Sequence, residues 1–379
     1  MKITRLNLTN YRNYGFATLA IDSQIVVLSG HNGAGKTNIL EAISLLSPGR
    51  GLRGARFSDI DCKENSGNES DCWTVFADVE NDGINTAIGT SRINNTESEK
   101  RSVMIDGKHA PISNLADVMS VSWLTPQMAG LFIDGATERR RYMDRLVYNF
   151  DPAHARRVNA YESAMRERNR LLKENCRERA WYAALERQLA AHGIAIAAAR
   201  FQAMERINNA IQASNGSFPK ALLIAEGEPE KLLEGNSALK AEDQYQAKLE
   251  HNRALDLQIG RTAFGIHRSD LTVIHSEKNS PAQLCSTGEQ KALLLSITLA
   301  VARAQKFVGK SPPIMLLDEV IAHLDEPRRH ELFAEILELG AQTWLTGTDA
   351  EVFANLADHA LFFKVNAGKL LASNCGEMS

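Results

Sequence analysis

The chain has 379 residues, room for two or three domains and a full apolar core. Its apolar and charged fractions, 44% and 23%, suit a water-soluble globular protein, and a net charge of −3 excludes a molecule that is basic throughout, so any nucleic-acid contact must come from a local patch. No apolar run reaches the roughly 18 residues of a membrane span, residues 1–5 do not open a secretory leader, and the cysteines (Cys62, Cys72, Cys176, Cys285, Cys375) form no C-x-x-C pair, which fits reduced cytoplasmic thiols and argues against a disulfide frame or structural zinc.

Residues 2–9 partly alternate and read as a strand; Asn10-Tyr11-Arg12-Asn13-Tyr14 reads as a polar turn. Ile25 to Leu28 reads as a buried strand and Asn38 to Ile43 as a helix. Between them Gly30-His31-Asn32-Gly33-Ala34-Gly35-Lys36-Thr37 matches G-x-x-x-x-G-K-[ST], the phosphate-binding P-loop. Its glycines let the backbone fold into a nest of N–H groups, and the helix N-terminus adds partial positive charge. Lys36 would reach the β- and γ-phosphates, and the Thr37 hydroxyl would ligate Mg2+. Arg50, Arg53 and Arg56 follow among glycines. They make either a solvated loop or a set of guanidinium forks for nucleotide or DNA phosphates.

Trp73–Val79 and Thr86–Ile93 are strand candidates, and Asp106-Gly107 signals a hairpin. Val118–Leu124 reads as a further buried strand ending at Thr125-Pro126-Gln127. From about Gly135 the period becomes helical, with Pro152 as punctuation. Helices are expected over 153–174 and about 180–213, joined near Asn175 to Arg179. They form an antiparallel hairpin about 30–50 Å long. Trp181, Leu185, Leu189, Ile194, Phe201, Met204, Ile207 and Ile211 keep roughly helical spacing on its apolar side. Its arginines, among them Arg156, Arg166, Arg168 and Arg170, read as a solvated face or a DNA contact. Ala221–Ile224, a polar helix over about 238–258, and strands at Arg261–Gly265 and Asp270–Ile274 follow. The expected organisation is a head made of residues 1–134 and 259–379, interrupted by a helical insertion at 135–258.

Ser286-Thr287-Gly288-Glu289-Gln290 precedes a helical run. Ile314 to Leu317 reads as a strand delivering Asp318 and Glu319 to the sheet edge beside the P-loop. There Asp318 would hold Mg2+ and Glu319 would polarise the attacking water. Thr343–Thr346 reads as a last strand ending at Gly347-Thr348-Asp349, where the Thr348 hydroxyl would face the γ-phosphate. The histidines supply no H-x-x-x-H pair and read as structural.

This set of motifs resembles the ABC-type ATPase heads of the SMC and DNA-repair class, and more closely the RecF family of bacterial recombination mediators. Leu8–Tyr14 is similar to that family's N-[FY]-R-N-Y element. Gly30–Thr37 with Asn38, Leu40, Glu41 and Ala42 is similar to its G-x-N-G-A-G-K-T-N-x-L-E-A block. Thr125–Gln127, Arg139-Arg140, Met143-Asp144, Gly260–Thr262 and Gly265–Asp270 resemble further elements, and Ser286–Gln290 and Leu324-Asp325 fall where its signature and D-loop lie. Ile266 and Ser269 depart from the family's proline and acid, and Glu319 stands where relatives often carry Asp.

The resemblance implies an α/β fold, an ABC-type P-loop head of mixed sheet plus antiparallel β subdomain, carrying an α-helical arm. It implies ATP and Mg2+ as cofactors. Gly30, Asn32, Gly33, Ala34, Gly35, Lys36, Thr37 and Asn38 would bind nucleotide, with Arg12 as a further phosphate contact. Gln127 would sense the γ-phosphate and serve the metal with Thr37 and Asp318. Lys36 and Glu319 would be catalytic, and Ser286, Gly288 and Gln290 would act in trans. Partners would be duplex or gapped DNA, a second copy closed by ATP, and other recombination mediators, with no membrane. Competing classes are the ATPase subunit of an ABC transporter, an SMC-type head with longer arms, and a clamp that binds ATP without hydrolysing it.

Overall fold

A computed structural model describes residues 1–62, 72–92 and 100–373. Ile93, the end of one expected strand, and Cys375 lie outside the described residues. The chain opens with strand β1 (Lys2–Tyr11), which turns at Arg12-Asn13 into β2 (Tyr14–Ala20). β3 (Ile25–Ser29) is buried along its whole length and feeds the P-loop and helix α1 (Lys36–Ser44). β4 (Thr74–Asn81), β5 (Ile84–Arg92), β6 (Arg101–Ile105) and β7 (Lys108–His109) follow. The β6–β7 turn is Asp106-Gly107, both at positive φ (48° and 74°), as the Asp-Gly pair predicts. The expected Val118–Leu124 strand is shorter. Leu115–Val118 forms a helical turn, α2, closed by Met119 N–H on the Leu115 carbonyl, and only Val121–Leu124 forms β8.

The next elements are α3 (Ala136–Tyr148), α4 (His154–Lys173), α5 (Arg179–Gln212), β9 (Ala221–Glu226), α6 (Glu228–Leu233), α7 (Ala238–His251) and α8 (Arg253–Ile259). The expected polar helix over 238–258 is thus two helices broken at Asn252. β10 (Asp270–His275) pairs antiparallel with β9 and with β11 (Ser280–Pro281). Arg261–Gly265 is not a strand: Gly260 and Gly265 have positive φ, and the Thr262 and Ala263 N–H groups donate to the side chains of Asn169 and Asp256, not to a neighbouring strand.

Helix α9 (Thr287–Phe307) leads to β12 (Ile314–Leu317), α10 (Glu326–Leu339), β13 (Thr343–Gly347) and a hairpin of β14 (Ala360–Asn366) and β15 (Lys369–Ser373). The sheets run β2-β1-β4-β5-β6-β7 (antiparallel), β11-β10-β9, and β15-β14-β3-β13-β12-β8, the last parallel from β14 to β8.

The chain divides into two units. One holds residues 1–129, 214–218 and 294–379, the other 130–213 and 219–293. Residues 259–293, expected in the head, therefore belong to the helical unit, because β10 finds its partners in β9 and β11. In the first unit both large sheets and α1 close on one core, including Leu6, Leu8, Val26, Leu28, Ile39, Ile43, Val75 and Trp344. β1 shifts register against β4 between Ile3 and Arg5, and the Gln342 side chain accepts from the Ile3 N–H at 2.8 Å and donates to its carbonyl at 2.9 Å.

In the helical unit Tyr161, Leu189, Ile194, Tyr245, Leu249 and Phe264 form the main core. Trp181 and Phe201, expected inside, are 59% and 64% exposed; Tyr182, Ala190 and Ala197 hold the inner positions. Arg168, expected on a solvated face, is fully buried. Its guanidinium reaches Glu186 (3.1 Å), Asp256 (2.7 Å) and the Thr262 hydroxyl (2.8 Å).

Candidate functional site: a phosphate-binding edge

Parallel strands gather at one sheet edge the residues just past their C-terminal ends, whatever their separation in sequence. Ser29 of β3 lies opposite Gly347, and Leu317 of β12 lies opposite Leu345 and Leu124. The edge therefore collects the P-loop, Asp318-Glu319, Gly347-Thr348 and Thr125-Pro126-Gln127.

The P-loop needs two of its glycines for space. At Gly30 (φ 150°) a Cβ would stand 2.2 Å from the Val365 carbonyl oxygen, and at Gly35 (φ 117°) 2.5 Å from the Asn13 amide. The loop is held from outside. Asn13 Nδ2 donates to the Ala34 carbonyl at 2.9 Å, Tyr14 Oη to Gly35 at 3.0 Å, and Gly368 N–H to Ala34 at 3.3 Å. Asn38 Nδ2 donates to Asn13 Oδ1 at 2.7 Å. Among the described residues the N–H groups of Gly33, Gly35, Lys36 and Thr37 have no acceptor. They sit at the N-terminus of α1, where an anion is favoured. Asn32 and Gly33 are exposed on the loop, and Ala34 is buried beneath it.

Lys36 is 4% exposed and bridges the loop, donating to the carbonyls of Gly30 (2.6 Å) and His31 (2.9 Å). Burial lowers its pKa, and the carboxylates of Glu319 and Asp318 oppose that shift. Thr37 Oγ1 lies 3.0 Å from both carboxylate oxygens of Asp318, although 281 residues separate the two in sequence. Burial raises the Asp318 pKa, against hydrogen bonds from Thr346 and Thr37. Thr346 Oγ1 donates to Asp318 Oδ1 at 2.8 Å and accepts the Glu319 N–H at 2.9 Å. Glu319 itself is half-buried and left-handed, φ 52°.

A hydroxyl and a carboxylate are hard oxygen donors, the set that suits Mg2+. No group of three or more His, Cys, Asp or Glu able to hold a metal occurs among the described residues.

Two expected contacts are placed differently. Arg12 is not turned to the loop: it donates to Glu41 through Nε (2.8 Å) and Nη2 (2.7 Å) and to the Asp59 carbonyl through Nη1 (2.8 Å). Arg53 joins it on Glu41 (3.0 Å) and on Asn38 (2.7 Å). Gln127 lies three residues past β8, exposed and without a side-chain hydrogen bond among the described residues, so it is at the edge but not joined to Thr37 or Asp318.

Ser286, Gly288 and Gln290 belong to the helical unit. Ser286 caps α9: its Oγ accepts the Glu289 N–H at 3.4 Å, and Glu289 Oε2 accepts the Ser286 N–H at 2.9 Å. Lys278 binds Glu289 and, with Ser286, holds its carboxylate low, at about 2. A Cβ at Gly288 would meet nothing within 4 Å, and Gln290 Nε2 donates to the Cys285 carbonyl at 3.0 Å. Sequence reasoning missed the capping pair, which S-x-x-E signals, the support from Asn13, Tyr14 and Gly368, and the bridging role of Thr346, which nothing local signals.

A strand-loop-helix phosphate site on β3, with acids at the end of the parallel strand β12 one strand further along the sheet, defines a P-loop nucleotide-binding head. The model of the RecF/RecN/SMC N-terminal domain matches residues 2–369, which makes this a head of that class. Curated relatives include the DNA replication and repair proteins RecF of Agrobacterium fabrum (44% identical, over 98% of this chain and 99% of the relative) and of Brucella suis biovar 1 (45%, over 98% and 96%). Within that class the chain belongs to the RecF family. Among solved structures, the recombination mediator protein RecF with ATP, in the RecFOR pathway, superposes with TM-score 0.82 at 22% identity over 98% of this chain and 99% of that one. An Smc head domain from Pyrococcus furiosus superposes with TM-score 0.54 at 17% identity over 99% and 97%. Both likenesses show the fold.

Proposed function

We propose that this chain is an ATP-dependent DNA-binding switch of recombinational repair and replication-fork maintenance. The observation that carries this reading is the pairing of Thr37 with Asp318 beneath a free row of P-loop N–H groups, in a chain of the RecF family. On this reading Lys36 and the loop N–H groups hold the phosphates of ATP, and Asn32 and Asn38 flank them. Thr37 and Asp318 hold Mg2+, which when bound neutralises charge on the β- and γ-oxygens. Glu319 orients and polarises water. Gln127 senses the γ-phosphate on closure. Arg12 acts by holding Glu41.

The sequence has one P-loop motif. The Ser286–Gln290 motif, with its capped helix and open Gly288, serves the nucleotide of a second copy. ATP thus draws two chains together around two nucleotides, because it binds the closed pair better than the open one. Slow hydrolysis then releases them. The substrate is DNA, duplex beside a single-strand gap, where other mediators help load recombinase. This reading is supported by relatives named for DNA replication and repair, and the fold is shared with a recombination mediator protein. The compartment is the bacterial cytoplasm; no helix among the described residues is long and apolar enough to cross a membrane.

The test is solution mass with and without Mg-ATP, with Glu319→Gln to trap the closed state, in the presence and absence of duplex DNA. A monomer-to-dimer shift on ATP, strengthened by DNA, is expected. A chain that binds ATP and stays monomeric overturns the in-trans role of Ser286 and Gly288. Equal turnover by wild type and Glu319→Gln removes Glu319 from the mechanism.

A further inference from the structure

A hydroxyl has one hydrogen to give and lone pairs to receive. Thr346, at the end of β13 and 1% exposed, uses both on the two acids of the neighbouring strand. It donates to Asp318 Oδ1 (2.8 Å) and accepts the backbone N–H of Glu319 (2.9 Å). The result is a directed chain, Glu319 N–H to Thr346 O–H to the Asp318 carboxylate, whose links polarise one another in a buried setting.

The same two residues show why such a link is needed. Glu319 sits at φ 52°, a left-handed backbone that is unfavourable for an L-residue and persists only where its surroundings hold it. Asp318 N–H is fixed on the Leu124 carbonyl at 2.9 Å, so β12 is anchored up to Asp318 and turns off the sheet at Glu319. The Glu319 N–H is the first backbone donor past that turn, and Thr346 takes it. Asp318 carries a second donor, Thr37, on the side of the P-loop. One hydroxyl on β13 therefore fixes the carboxylate facing Thr37 and the backbone that carries the next acid.

We propose that Thr346 is a positioning residue that couples the metal-holding Asp318 to Glu319, so that metal affinity and hydrolysis are tuned together through one buried hydroxyl. This inference rests on the nucleotide reading above. It assigns the hydroxyl, not the methyl, as the working group, because the hydroxyl alone makes both contacts.

The experiment compares Thr346→Val and Thr346→Ser with wild type by three measurements. These are affinity for a fluorescent ATP analogue across a Mg2+ titration and in EDTA, kcat and KM for hydrolysis, and the unfolding midpoint without nucleotide. Thr346→Val keeps the shape. It is expected to need about tenfold more Mg2+ for tight nucleotide binding, within the range that lost support of a metal ligand costs. Its affinity in EDTA should stay at the wild-type value, and kcat should fall at least about tenfold while KM for the Mg-nucleotide at saturating Mg2+ holds. Thr346→Ser should restore both. Wild-type Mg2+ dependence and kcat in Thr346→Val overturn the proposal. So does Thr346→Ser as defective as Thr346→Val, since packing of the methyl would then be the cause. A wild-type chain with no Mg2+-dependent ATP binding would instead overturn the nucleotide reading on which this rests.

Discussion

Arg12 and Glu41 are joined by two hydrogen bonds, Nε to Oε2 at 2.8 Å and Nη2 to Oε1 at 2.7 Å, with the carboxylate 1% exposed. Arg12 comes from the turn after β1, itself left-handed at φ 56°, and Glu41 from the helix that follows the P-loop. The pair clamps the N-terminal turn onto α1. Arg12→Met should leave a buried charge with Arg53 as its remaining partner and cost about 3 kcal/mol in denaturant unfolding. Glu41→Leu added to it should recover at least about 1 kcal/mol of that loss. A variant that keeps its stability and loses ATP affinity would put Arg12 on the phosphates instead.

If each nucleotide site is built from the P-loop of one chain and the signature of another, two dead variants can rescue each other. Lys36→Ala and Ser286→Arg should each be inactive alone. A mixed pair has one site with both lesions and one with neither. Mixing the two proteins should therefore restore ATP hydrolysis, toward half the wild-type rate per mixed dimer. No recovery, in mixtures shown to form the mixed dimer, would break the composite-site reading.

Of the arginines at the start of the helical unit, Arg139 is committed to Asp270 at 2.7 Å, and Arg140 donates to the Ser269 carbonyl at 3.0 Å. Arg50, over the Phe57 ring at 5.8 Å, and exposed Arg56 remain in the loop after α1. Arg50→Glu with Arg56→Glu should weaken duplex binding and flatten the slope of log K against log salt by about 2. Arg139→Glu should lower the unfolding midpoint instead. An unchanged salt slope in the loop variant would clear the loop of DNA contact.

Burial holds the His267 pKa down, at about 4. Its Nε2 donates to the Thr262 carbonyl (3.1 Å) and its Nδ1 accepts from Tyr161 Oη (2.9 Å), an arrangement that only the neutral ring allows. Above pH 6.5 the ring is neutral folded or unfolded, and its contribution to stability is full. As pH falls from 6.5 toward 4 the unfolded chain takes up a proton that the folded chain refuses. Up to about 3 kcal/mol is then lost across that window. Stability measured against pH should show this arm in wild type and lose it in His267→Gln. An identical pH profile in the variant would show that other groups cause the fall.

What could be read from the sequence was what local pattern carries. The P-loop, the acids after β12, the Asp106-Gly107 hairpin and the two long helices of the arm all have their signal within a few residues. Burial of charge does not. Arg168 looks like any arginine on a polar helix face until Glu186 and Asp256, 18 and 88 residues on, close around it. Trp181 and Phe201 keep helical spacing yet face outward, because spacing fixes a face but not which partner covers it. Residues 259–293 read as part of the head on the strand character of Arg261–Gly265 and Asp270–Ile274, but strand character says nothing about which sheet will take a strand. Thr346 is one threonine among several until the neighbouring strand is in register.

The Arg168, Glu186 and Asp256 side chains are each fully buried and come from α4, α5 and α8, with Arg253 as a second partner of Glu186. Losing one leaves the others as uncompensated charge in the interior. These residues therefore form a single heritable unit. A chimera that takes α4 from one relative and α8 from another would assemble only if both carry the same ionic set. The arm can change its surface residue by residue, but its interior can be exchanged only as a block.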